Sequence, residues 1–370
     1  MNFLKKLLTK KTAVATDQPF WEWFGENEAE SFLAVKSKDS HRINDRFLKA
    51  IMPRLQAVCD NLYCEVGMYD DTRAELVISA QGDVKSFVFA EDLVDQAPEF
   101  SRWKITALKP ALGVHNNSIH IGGYVFNCQN FGFFYDDEPQ YPDEVRLSFV
   151  YPDFTEENKE VVTQGVFLLL ETVLGERDAA VLIDQATVKD PSPEDKELIP
   201  IEKLIDFLRW KEKEFVEKYQ GVRHATEHDN YSGLEGEDEG GFPSIGLVNH
   251  DLLEWDAKAS HPWMLVIEID YNKTKGADSK GMPDEKNYAS MNGLEEALIG
   301  QLPDSAGYLS LGRETYKGKT TLYMACKEYR LASKTTHDLL QRYKEQLACS
   351  YDIYKDKYWR TMGKFREALS

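Results

Sequence analysis

Trp263-Met264-Leu265-Val266-Ile267-Glu268-Ile269 opens the stretch that decides the fold, and it is too apolar to be a strand with one face in water. Met291, Leu294, Leu298 and Leu302 follow at helical spacing until Pro303 ends that helix. Gly307 to Arg313 and Thr320 to Cys326 then read as the arms of a hairpin closed by Tyr316-Lys317-Gly318-Lys319. Leu331, Thr335, Leu339, Tyr343 and Leu347 give a second helix, and Ser350 to Tyr354 a final strand. The order is βαββαβ, the ferredoxin-like arrangement, in which one face of an antiparallel sheet carries both helices. Alternation turns Trp263, Leu265 and Ile267 toward those helices and Met264 and Val266 away from them. The first strand is expected in the sheet interior, beside the strand bearing Leu309 and Leu311. Its second face needs a cover, from the connecting helix, the N-terminal domain or a second subunit.

Upstream, residues 20–190 read as an N-terminal α+β domain. A helix runs through Ile43, Phe47, Leu48, Ile51, Leu55 and Val58 across Pro53, and two strands flank the turn at Asp70-Asp71. A short helix near Ala90 to Gln96 and strands at Trp103 to Leu108, Ile119 to Phe126 and Val145 to Tyr151 follow. Thr155 is the expected N-cap and Gly175 the C-cap of the next helix, with Ala179 to Val188 as the closing strand. If Phe32 to Val35 is an opening strand, this domain contains a unit of the same βαββαβ order. Residues 191–261 are a connection: a proline-bearing run from Asp190 to Asp195, an amphipathic helix through Ile201, Leu204, Ile205, Leu208, Phe215 and Tyr219, and an acidic, glycine-rich, mobile loop from Gly221 to Gly246. Residues 262–370 form the C-terminal domain, and residues 1–19 a basic, flexible leader.

Composition narrows the function. The chain of 370 residues carries 44 Lys and Arg against 63 Asp and Glu, a net charge of −19, which repels phosphate backbones and anionic lipid. Nucleic acid and membrane partners are therefore disfavoured, and the 42% hydrophobic and 12% aromatic content is that of a folded chain. Cys59, Cys64, Cys128, Cys326 and Cys349 form no CxxC pair and fit reduced thiols in a cytoplasmic protein. The leader interrupts its apolar residues with Lys5, Lys6, Lys10 and Lys11, so it lacks the apolar core of a signal peptide.

The C-terminal part also carries a resemblance. Trp263, the run Gly307-Tyr308-Leu309-Ser310-Leu311-Gly312-Arg313-Glu314-Thr315 leading to Gly318 and Tyr323, and Tyr351-Asp352 followed by Trp359 resemble the bacterial domain family of unknown function numbered 695. That family is similar in turn to the regulator of ribonuclease activity B, an acidic protein that inhibits an endoribonuclease by binding it. Only the tyrosine, aspartate and downstream aromatic correspond to the regulator, which brings them closer together than Asp352 and Trp359 stand here. The resemblance implies a fold and, through the regulator, a protein partner.

For chemistry the sharpest motif is His224-Ala225-Thr226-Glu227-His228, the H-x-x-E-H spelling of inverted zinc proteases, in which one helix turn brings two imidazoles to a metal and the glutamate activates water. It stands just after Gly221 and enters the glycine-rich loop, so a solvated loop is the favoured reading and a metal-dependent hydrolase the alternative. His115 and His120 point to opposite faces of a strand, and the Glu235 to Glu239 run lacks the alternating oxygen ligands of a calcium loop. No G-x-S-x-G, GxxxxGK[ST] or GxGxxG appears, no cofactor is implied, and Tyr323 alone is no platform for RNA bases. The binding candidates are Arg313, Thr315, Tyr323 and Trp359, because Arg and aromatic side chains supply most interface hot spots. The sequence thus reads as a non-enzymatic interaction or regulatory protein with an unidentified protein partner.

Overall fold

The computed structural model describes residues 18–114, 117–190 and 198–369. The leader up to residue 17, His115 and most of the proline-bearing connection lie outside the described residues. The chain is mixed α+β and divides into two compact units, one of residues up to Pro139 together with Glu144–Glu212, the other of Gln140–Asp143 and the chain from Lys213 onward.

The first unit starts with helices α1 (Phe20–Lys36), α2 (Ser40–Ile43) and α3 (Lys49–Val58), with a π-helical stretch, Asn44–Leu48, between the last two. β1 (Tyr63–Met68) and β2 (Ala74–Ser79) pair antiparallel, and α4 (Val84–Asp95) crosses to β3 (Trp103–Ala107), which pairs with β2 in parallel. Phe32 to Val35 is therefore helix, not an opening strand. Phe20, Trp23, Phe24 and Phe32 recur on one buried side of α1, and Phe24 meets Phe100 and Trp103 edge-on, a period that only a helix can present. The N-terminal stretch consequently has no βαββαβ order.

β4 (Ser118–Ile121) and β5 (Tyr124–Asn127) form a separate hairpin, followed by β6 (Gly132–Tyr135) and β7 (Arg146–Val150). α5 (Lys159–Leu174) and α6 (Glu176–Leu182) lead to β8 (Gln185–Lys189) and the short β9 (Ile199–Pro200), giving a sheet of order β8-β7-β6-β9. Gly175 takes a left-handed φ of 79° between the two helices, and its N–H donates to the Glu171 carbonyl. The helix before it starts at Lys159, so Thr155 bonds Asn158 within the preceding turn and does not cap it. Residues 179–182 are helical where a strand was expected, because Glu176 and Asp178 start a new helix directly after Gly175. Buried Glu176 accepts from the N–H groups of Ala80 and Gly82 at 2.9 and 3.0 Å and of Lys109 at 3.0 Å, tying the ends of β2 and β3 to α6. α7 (Leu204–Tyr219) is the expected amphipathic helix, and the division between the units falls within it.

The second unit contains one six-stranded sheet. Its elements are β10 (Tyr231–Glu237), β11 (Pro243–Asn249), α8 (His250–Glu254), β12 (Trp263–Asp270), α9 (Tyr271–Thr274), α10 (Glu285–Gln301), β13 (Tyr308–Tyr316), β14 (Lys319–Cys326), α11 (Arg330–Tyr343), β15 (Cys349–Lys355) and α12 (Gly363–Leu369). The strand order is β10-β11-β13-β14-β12-β15, with every pairing antiparallel. β12 lies between β14 and β15, not beside the strand of Leu309 and Leu311. The α10 crossover carries β13 past one position, and the hairpin back through Lys317-Gly318 fills it with β14. Leu265, Ile267, Leu322 and Met324 meet Leu298 of α10 around a small cavity. On the opposite face Met264, Leu309, Leu311, Tyr323 and Ala325 pack with Leu252, Trp359, Met362 and Phe365. The cover sought for that face is thus the unit's own α8 and C-terminal segment.

Candidate functional site

The acidic stretch read as a loop is a hairpin that widens the sheet. Asp238 makes its turn: its carboxylate accepts from the N–H groups of Gly240 and Phe242, both at 2.9 Å, and from the hydroxyl of Tyr316 at 2.8 Å. Bonds to backbone and to Tyr316 and Lys317 hold that carboxyl far below the ordinary carboxylate range, with the Lys317 contact largest. The hairpin docks on β13 at Gly312, whose φ is 135°. A Cβ there would stand 2.3 Å from the Leu247 carbonyl oxygen, so only glycine lets β11 approach.

Directly opposed residues of antiparallel strands share a face, which sorts the side chains. Ile245 opposes Glu235 and Thr315, and Leu247 opposes Gly233 and Arg313. Arg313 in turn opposes Leu322, and Leu322 opposes Ile267, so all of these lie on the side of the sheet that carries the helices. Gly246 and Val248 face the other side, toward Phe365 and the core around Trp359. α10 forms a wall above the widened floor. Its residues Glu285, Tyr288, Asn292, Glu295 and Ile299 recur every three or four positions beside the buried stripe of Asn287, Met291, Leu294 and Leu298. Arg313 joins floor to wall, donating to Asn292 Oδ1 at 2.9 Å and pairing with Glu295, with its guanidinium 5.9 Å from the Tyr288 ring. Tyr231, Ile245, Leu247, Tyr288 and Ile299 are each between 41% and 49% exposed. The added strands therefore present an uncovered apolar shelf flanked by carboxylates.

Of the sequence candidates, Arg313 and Thr315 belong to this shelf, and Thr315 bonds Thr320 across the strands at 2.7 Å. Tyr323 and Trp359 do not join them. Tyr323 meets Phe365 edge-on at 5.7 Å, and Trp359, wholly buried, donates from its indole to the His261 carbonyl at 3.0 Å. Both are core residues of the opposite face. Tyr231, Ile245 and Leu247 escaped the sequence reading; the alternation of Ile245 and Leu247 with Gly246 and Val248 was the available signal.

His224, Glu227 and His228 do not lie on a helix. His224 Nε2 stands 2.8 Å from Asp229 and its ring 5.1 Å from that of Trp255, while Glu227 and His228 are exposed. Without the helix, four-residue spacing does not converge two imidazoles, and among the described residues no three His, Cys, Asp or Glu side chains are grouped to hold a metal. His120 bonds Ser118 at 2.9 Å. Among the described residues no helix is long and apolar enough to cross a membrane.

Fold and shelf together define an α+β protein whose C-terminal sheet is wider than its helical cover. Over residues 239–365 the chain matches the family of unknown function DUF695, a match that begins in the turn of the β10–β11 hairpin and ends within α12. No curated protein and no solved structure matches the chain.

Proposed function

We propose that the chain is a non-enzymatic protein-interaction or regulatory module, and that its partner docks on the helix side of the C-terminal sheet. The strands β12, β13, β14 and β15 with α10 and α11 are read as a ferredoxin-like unit, and the β10–β11 hairpin as an extension of it that creates the docking face. The observation carrying this reading is the row of half-exposed apolar residues, Tyr231, Ile245, Leu247, Tyr288 and Ile299, around Arg313. A monomeric protein seldom leaves such residues contiguous unless something covers them. The resemblance to the ribonuclease regulator supports a partner that is inhibited by being bound. The free cysteines support a reducing, cytoplasmic setting.

The test is a comparison of proteins captured by the full chain and by Leu247→Ser. Loss of a specific partner with an unchanged melting temperature is expected; an identical captured set overturns the reading. Stoichiometric zinc in the purified chain, lost in His224→Ala, would instead establish the hydrolase alternative.

A further inference from the structure

The partner's chemistry can be read from the shape and charge of the shelf; this step rests on the interaction-module reading above. Neighbouring strands lie roughly 4.8 Å apart, so the two added strands widen the floor by about 10 Å, the diameter of one α-helix. β11 runs from Pro243 to Asn249, and at ~3.3 Å per residue it offers about 20 Å of length, close to four helical turns. α10 already stands on one side as a neighbour, at the place where a parallel or antiparallel helix would pack against Tyr288 and Ile299. The floor thus has the dimensions of a vacant third helix position beside α10.

Its electrostatics select the occupant. Glu235 stands on the floor beside Ile245, and Glu285 and Glu295 belong to the wall stripe. Asp229, Glu295 and Asp304 lie near enough to Tyr231 to add to the effect of burial in raising its hydroxyl pKa. Arg313, the cation of the floor, is paired to Glu295, and Lys317 near the hairpin turn is paired to Asp238. What faces an incoming segment is apolar along its centre with the carboxylates of Glu235 and Glu285 at its margins, Glu295 being neutralised by Arg313, on a chain of net charge −19. We propose that the shelf seats a single basic amphipathic helix of a partner protein, its apolar stripe on Ile245, Leu247 and Tyr288 and its lysines or arginines toward Glu235 and Glu285.

The experiment uses the full chain and two labelled peptides of identical leucine and lysine composition. One has leucines at helical spacing, the other has them alternating, so charge is constant and only the folded geometry differs. The helical peptide is expected to bind at roughly micromolar Kd and to gain helicity by circular dichroism, and the alternating one to bind at least about tenfold more weakly. The double variant Ile245→Ser, Leu247→Ser should lose at least about tenfold in affinity without a change in melting temperature, and Glu235→Gln with Glu285→Gln should flatten the salt dependence. Equal binding of both peptides, or binding indifferent to the double variant, overturns the proposal, since charge alone would then explain it. Concentration-dependent self-association abolished by the double variant overturns it too, because a second copy would be the occupant. If neither peptide binds while Leu247→Ser still loses a captured partner, the helix position fails and the docking face stands; if capture is also indifferent, both fail.

Discussion

His261 shows how one buried side chain sets a pH limit. Its Nδ1 lies 2.8 Å from Ser260 Oγ, its Nε2 is buried with no hydrogen-bond partner among the described residues, and the ring of Trp255 is 5.5 Å away. Burial, followed by the positive charges of Lys327, Arg223 and His224, pushes the imidazole down to about 4. In the unfolded chain the same ring takes its proton near the ordinary value of about 6.5, so between those limits the unfolded state binds more protons and stability falls as pH falls. Above about pH 6.5 the effect is absent, and by pH 4 it amounts to about 3 kcal/mol. Denaturant midpoints measured from pH 8 to pH 4 should drop over that window, and by less in His261→Gln; equal slopes in the two proteins would show that His261 is not held neutral. Ile267 makes the same point without titration. It is 1% exposed against the α10 side of the sheet, so Ile267→Asp places an unpaired carboxylate in the core and should cost at least about 3 kcal/mol, read as loss of the cooperative melt. A parent-like melt would show that this residue tolerates water.

At the level of elements, the hairpin β10–β11 depends on one backbone conformation. Gly312→Ala would set a Cβ 2.3 Å from the Leu247 carbonyl and 2.7 Å from Val248 Cα, at a φ that L-residues rarely adopt. A cost of about 2–4 kcal/mol is expected, with faster amide exchange along β11 than along β12, whereas Gly67→Ala, whose added methyl meets nothing within 4 Å, should stay near neutral. Exchange that stays slow in β11 would mean that the hairpin does not hang on this glycine. The same hairpin marks where the sequence stopped being legible. β12, β13 and β14 announce themselves through runs of Val, Ile, Leu and Tyr and through Lys317-Gly318, both at positive φ as a tight hairpin turn requires. β10 instead holds Gly233, Glu235, Gly236 and Glu237, because an edge strand avoids further pairing by being short of apolar residues, and that composition is also that of a loop. Arg313 and Thr315 were legible as strand residues because they sit in a recognisable strand, where both are half-buried. The exposure of Ile245 and Leu247 was not legible, since it follows from pairing with a strand more than sixty residues away. The burial of Tyr323 and Trp359 was not legible for a related reason: the segment that buries them, ending in Phe365, has no pattern that tells which sheet face it covers.

For the whole molecule, the connectivity of the second unit matters most. It takes in Gln140–Asp143, a short piece of chain separated from the rest of that unit by the residues from Glu144 to Glu212. Asp143 is its anchor. The carboxylate accepts from Lys218 Nζ at 2.6 Å and from the hydroxyls of Tyr219 and Tyr358, both at 2.8 Å, while its backbone N–H donates to Tyr358 at 3.0 Å. Its carbonyl accepts from Lys357, a nearly buried lysine whose ammonium also lies 4.5 Å from the Phe215 ring. A protein fragment beginning at Lys213 would keep these donors and lose Asp143, the acceptor they share, so each gives up its hydrogen bond to that residue. Asp143→Ala in the full chain imposes the same loss without a cut, and a cost of about 3 kcal/mol is expected from a multiply bonded, largely buried carboxylate. Asp143→Asn, which keeps an acceptor and drops the charge, should fall between the two. Urea unfolding of the parent, both variants and the fragment from Lys213, followed by tryptophan fluorescence, supplies the comparison. A fragment as stable as the parent, together with a neutral Asp143→Ala, would mean that the inserted piece contributes nothing and that the second unit is complete from Lys213 onward.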